Sequence, residues 1–125
     1  MAKDQISALK ASFDRAKAFL NAGDAKMAEN ICRSSLKNIS SGDPNMQVLL
    51  CVALIRQGRS GSAVKRLKHT LRMFPDFPQA HEELGNALLA QNKPEKALES
   101  FKKTTELNPN NADAFIKLGK VFSAL

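Results

Sequence analysis

Ala97, Leu98, Phe101 and Leu107 fall on one stripe at the three-to-four spacing of an amphipathic helix. In the last segment Phe115, Leu118, Gly119 and Phe122 alternate in the same way with Asp113, Lys117, Lys120 and Ser123. The pattern breaks at Gln91-Asn92-Lys93, and Pro94 then opens a new helix, because a proline in the first turn forfeits no helical hydrogen bond. Asn108-Pro109 closes it, since the residue before a proline disfavours helical geometry, and Asn110-Asn111 can cap the helix that begins at Ala112. Upstream, a helix over residues 78 to 91 is predicted, with Asp76 as its cap and Leu84, Gly85 and Leu88 on one face. Gly85 lacks a side chain, which lets the partner helix carrying Ala97 come close.

These positions recur. Ala63 and Ala97, Leu67 and Phe101, and Pro75 and Pro109 are pairs 34 residues apart, and Leu50, Leu84 and Leu118 extend the ladder. One helix-turn-helix unit therefore repeats and buries its apolar face against its neighbours. The middle unit, Pro44 to Phe77, carries Leu50, Cys51, Leu54, Gly58, Ala63, Leu67 and Pro75, with Cys51 in place of the small glycine. The first, from about Leu9 to Asp43, keeps Ala16, Phe19, Gly23, Ala28 and Cys32. Its Ala28 lies 35 residues before Ala63, which puts one extra residue in the Ser40 to Asp43 turn.

Leu84-Gly85, Leu88, Ala97, Phe101 and Pro109 resemble the tetratricopeptide repeat, with its Leu-Gly pair, aromatic and small positions and closing proline. The likeness runs from about residue 5 to residue 125. It implies an all-α, right-handed superhelical solenoid of about three and a half repeats forming a single domain: 9–43, 44–77, 78–111 and a final half repeat or capping helix at 112–125. It also implies noncatalytic protein binding, with a peptide or helix held in the concave groove lined by the first helix of each repeat.

The repeat phase gives that groove Phe13, Lys17, Leu20, Val48, Val52, Ile55, Arg56, Gln79, Glu82, Glu83, Asn86, Leu89, Asp113, Ile116, Lys117 and Lys120. Asn86 stands out, because a side-chain amide can hold the backbone of an extended peptide without demanding a sequence. Family members that clamp a C-terminal carboxylate use lysine, asparagine and arginine. Here the matching places hold Val48, Val52, Glu83, Asp113 and Lys117, and only Lys117 suits an anion, so that function is rejected.

Composition narrows the reading further. The 125 residues are 43% hydrophobic and 25% charged, with seven Phe and neither Trp nor Tyr, a globular composition that packs on aliphatic side chains. Cys32 and Cys51 fit no metal or redox spacing and read as small buried residues in a reducing compartment. The N-terminus MAKDQISALK has no signal-like apolar run and no segment reaches membrane-spanning length, so cytoplasmic residence without a membrane partner is expected.

No catalytic constellation accompanies the repeats. His69 and His81 lie in different units, and Glu82 and Glu83, adjacent on a helix, diverge by about 100° and cannot share a substrate atom. Gly58-Arg59-Ser60-Gly61-Ser62 lacks the strand and ending of a phosphate loop and reads as a turn capped by Ser60. Neither enzyme activity nor a cofactor or metal is expected.

Charge is the remaining signal. Residues 44–75 carry six basic groups and no acidic one, nearly all of the chain's net +7. Arg59, Lys65, Arg66, Lys68 and Arg72, with Arg56 and His69, form a basic band that could meet a polyanion or an acidic protein. No aromatic interleaves it for base stacking, which disfavours nucleic acid.

At the far end Phe115, Phe122 and Leu125 lie where a further helix would pack, so either a longer parent protein follows or this face self-associates. The phrasing Leu84-Gly85-Asn86-Ala87-Leu88 is similar to arrays preceding the catalytic domains of O-linked N-acetylglucosamine transferases and bacterial sulfotransferases. That resemblance implies an accessory, substrate-presenting role.

Overall fold

The computed structural model describes residues 2–37 and 43–125, with side chains from Ile6 onward. Among the described residues there are seven helices and no strand: α1 (Ala2–Asn21), α2 (Ala25–Lys37), α3 (Pro44–Arg56), α4 (Ser60–Met73), α5 (Pro78–Ala90), α6 (Pro94–Leu107) and α7 (Ala112–Ala124). Each packs on the next, and α1 with α3 and α3 with α5 also touch. The odd-numbered helices therefore form one layer and the even-numbered ones the other, as a helical-repeat solenoid requires.

Tight turns between the helices of a pair hold the layers together. Gly23 (φ 87°), Gly58 (φ 77°) and Asn92 (φ 60°) occupy the same place in three successive repeats. Each is in the left-handed region, where glycine is unstrained and asparagine is tolerated. Asp43 and Asn111 cap α3 and α7 by accepting the backbone N–H groups of Met46 and Ala114 at 3.0 and 3.1 Å.

Two expected caps are corrected. Phe77, not Asp76, occupies the N-cap of α5 and gives no side-chain hydrogen bond, because its ring carries no oxygen to accept a first-turn N–H. Ser60 lies inside α4, buried, with Arg59 at the cap. The extra residue expected in the Ser40 to Asp43 turn lies outside the described residues apart from Asp43.

The core is continuous, running from Ala16 and Leu20 through Leu50, Cys51, Leu54, Ala63 and Leu67 to Leu88, Ala97 and Phe101. Small and large side chains alternate between paired helices. At one register position stand Ala16, Cys51 and Gly85, and at its counterpart in the second helix stand Cys32, Leu67 and Phe101, all buried. The smallest member of the first set is matched by the largest of the second. A Cβ on Gly85 would approach the Phe101 ring to 2.7 Å, so Phe101 rather than Ala97 fills the space that the missing side chain leaves.

Candidate protein-binding groove and basic band

On the odd-helix layer the period brings side chains from successive repeats together. Lys17 and Lys120 are exposed, while Val52, Glu82, Glu83, Asn86 and Lys117 are half-buried. Val48 is only 8% exposed and Leu20 4%, so both belong to the core instead of the groove wall. Arg56 is exposed, yet its Nη1 donates to the Leu20 carbonyl at 2.8 Å and ties α3 to the last turn of α1.

The polar members pair across the repeat seam. Glu82 accepts from Asn111 Nδ2 at 3.1 Å with Oε1 and from Lys117 Nζ at 2.9 Å with Oε2. Lys117 is thus neutralised within the groove. Asn86 donates to Glu83 Oε2 at 3.2 Å and keeps its carbonyl oxygen available. Burial pushes the Glu83 carboxyl above its usual range, against the opposing pull of the Asn86 hydrogen bond and the nearby Lys117 and Arg56 charges. The surface is a strip with an aliphatic contact at Val52 and a polar ladder at Glu82, Glu83 and Asn86.

The basic band is smaller than its sequence suggests. Arg59 is 42% exposed, but its Nη1 donates at 2.8 Å to Glu29 Oε1, so part of its charge is spent within the fold. Arg66 is half-buried and donates to Gln47 Oε1 at 3.2 Å. Lys65, Lys68 and Arg72 remain exposed, Arg72 with its Nη2 3.4 Å from His69 Nδ1.

Glu29 is the buried charge the sequence reading missed. It is 2% exposed and receives Arg33 Nε, Arg59 Nη1 and Gln57 Nε2 at 2.8, 2.8 and 3.0 Å, with Lys26 at 3.4 Å. Burial alone would raise its carboxyl, but these hydrogen bonds outweigh it and hold the group at about 2. A signal was present: in the repeat register Glu29 stands where the next units have Val64 and Leu98, a charge at an apolar position. The Glu82 and Lys117 pair was equally accessible, since residues 34 or 35 apart face each other on adjacent odd helices.

At the end of the array Phe115, Phe122 and Leu125 are 47%, 53% and 55% exposed. Lys102 Nζ lies 5.5 Å from the Phe122 ring centroid, a cation over an aromatic face. Unlike Gly85, Gly119 has no atom within 4 Å of where a Cβ would stand. Among the described residues no helix is long and apolar enough to cross a membrane.

Mouse protein O-mannosyl-transferase TMTC3 is 39% identical over 69 residues, 55% of this chain and 8% of that one. The chain therefore spans a small fraction of that relative's length. The Thermobaculum terrenum O-GlcNAc transferase structure superposes with a TM-score of 0.85 at 25% identity, covering 94% of this chain and 22% of that one. The first such domain of Spaghetti (RPAP3), solved bound to the HSP90 peptide SRMEEVD, gives a TM-score of 0.81 at 19% identity, covering 93% and 91%. The tetratricopeptide repeat family model matches residues 50–122. With the repeat register, the paired helices and this match in agreement, the chain belongs to the tetratricopeptide repeat family.

Proposed function

We propose that the chain is a noncatalytic protein-interaction module that holds an extended peptide or a helix along its odd-helix layer. The observation carrying this reading is the half-buried strip of Val52, Glu82, Glu83 and Asn86, prearranged by bonds across the repeat seam. Val52 supplies apolar contact, and the free Asn86 carbonyl can accept a backbone N–H of the ligand. Peptide capture by the RPAP3 domain supports this use of the fold. The ligand differs in kind from a carboxylate-terminated one, because Val52, Glu83 and Asp113 stand where such a clamp has lysine, asparagine or arginine, and Lys117 is engaged by Glu82.

Peptides selected from a random library on the wild-type chain provide the test. Asn86→Ala and Val52→Glu weaken the selected peptide about tenfold, roughly one lost hydrogen bond or apolar contact, with thermal melts confirming the fold. Lys65→Glu with Lys68→Glu leaves it unchanged. Loss confined to the second pair means that ionic capture on the even-helix layer has replaced groove binding.

The similarity to two glycosyltransferases supports a second reading, in which the array presents substrate to, or orders, a catalytic domain in the same polypeptide. Coding sequence downstream of Leu125 tests it: a transferase domain in frame supports the reading, and an unrelated domain removes it.

A further inference from the structure

The even-helix layer contains a cleft of about 240 Å³ between the C-terminal half of α2, the first turn of α3 and the middle of α4. Arg33, Lys37, Arg66 and Gln47 line it, over an apolar floor of Leu36 and Leu50. Three cations from two helices converge there. Among the described residues, no carboxylate forms an ion pair with Lys37 or Arg66.

Arg33 and Arg66 are held at one edge each, leaving the rest of their donors unassigned. Arg33 Nε is fixed at 2.8 Å on the buried Glu29, and its two terminal nitrogens make no hydrogen bond among the described residues. Arg66 Nη1 is fixed on Gln47, leaving Nη2 and Nε in the same condition. Glu29 does not neutralise the cleft, because it also carries Arg59 and Lys26. A single carboxylate thus anchors part of the wall while excess positive charge faces the opening. Anchoring removes much of the side-chain entropy that a free arginine would lose on binding an oxyanion.

From this geometry we propose that the cleft is a binding site for a phosphate monoester or free phosphate, a compact dianion taking charge-assisted hydrogen bonds from Arg33, Lys37 and Arg66. The convergence of three cations on one open cleft favours a single doubly charged group over a carboxylate. The site is separate from the odd-helix groove, so its failure and that of groove binding are independent results.

The test is a titration of the isotope-labelled 125-residue chain with inorganic phosphate at constant ionic strength, followed by amide NMR. Saturable shifts centred on Arg33, Lys37, Gln47 and Arg66 are expected. They should require about tenfold more phosphate once Lys37→Gln and Arg66→Gln remove two charge-assisted contacts. Lys65→Gln with Lys68→Gln, on the same layer outside the cleft, should leave the titration unchanged and controls for folding and diffuse charge. Shifts spread over all basic residues, or equal weakening in both double variants, overturn the proposal, as does the absence of saturation. A phosphoserine hexapeptide that moves the same amides at lower concentration than inorganic phosphate identifies the source as a phosphorylated peptide. One that is no tighter identifies a free anion, and both keep the phosphate assignment.

Discussion

Gly85 and Phe101 compete for one volume: a Cβ on the glycine would stand 2.7 Å from the ring, closer than carbon atoms tolerate. Gly119, one repeat later in the same register, has nothing within 4 Å. The two glycines should therefore respond oppositely to alanine. Gly85→Ala gains about 1 kcal/mol of helix propensity but suffers about 1 to 3 kcal/mol of overpacking, for a net loss. Gly119→Ala keeps the gain of about 0.5 to 1 kcal/mol. Urea unfolding of both variants checks this, and Phe101→Leu in the Gly85→Ala background should recover part of the loss. Stabilisation by both substitutions would mean that the ring yields freely.

Two glutamates should show opposite pH responses. Glu29 is depressed to about 2 from an ordinary 4.5, so its contribution is complete above 4.5 and fades as pH falls toward 2. Glu29→Gln should cost about 1 to 3 kcal/mol at neutral pH, the usual consequence of unmatching buried hydrogen-bond partners, and progressively less below 4.5. Glu83 is raised by burial, so ionising it works against the fold: the favourable condition lies below its unfolded value and is lost as pH rises through the folded one. Glu83→Gln should stabilise the neutral-pH protein. Denaturant midpoints from pH 2 to 7 decide both signs.

The period carried most of the architecture. Residues such as Ala63, Ala97, Leu67 and Phe101 are buried because each repeat has only one face to bury, and that face recurs in the sequence. The wall of the groove was less legible. Val48 and Val52 are four residues apart on α3, on the same side of the helix, yet Val48 is buried against neighbouring repeats and Val52 is half-buried. Helical phase assigns a side, whereas exposure depends on how neighbouring repeats tilt over it. The pairing of Arg59 was illegible for a related reason: its partner Glu29 lies 30 residues away on another helix, and only the fold brings them together.

Both cysteines should be inert in the native protein. Burial pushes Cys32 up to about 11 and Cys51 up to about 12, and the Cys51 thiol donates to the Ala63 carbonyl at 3.8 Å. At pH 8 the thiolate of Cys32 amounts to about one molecule in a thousand, and the thiolate is the reactive form. Ellman titration should find almost no rapidly reacting thiol in buffer and two in denaturant. Prompt reaction of either residue without denaturant would show that its repeat opens locally.

The open face of α7 should make the isolated chain self-associate weakly. Phe115, Phe122 and Leu125 leave roughly half of each side chain in water, and Gly119 between the rings gives a second helix room to approach. Burying apolar area at about 25 cal/mol per Å² favours contact. Lys102 over the Phe122 ring and the charge of Lys120 on α7 oppose it. Multi-angle light scattering across a concentration series should give a mass that rises toward the dimer. Phe115→Ser with Phe122→Ser should hold it at the monomer, since the serines remove the apolar area and leave the repeat core at Ala114 and Val121 intact. A wild-type mass that stays monomeric throughout would mean that α7 caps the solenoid without a partner.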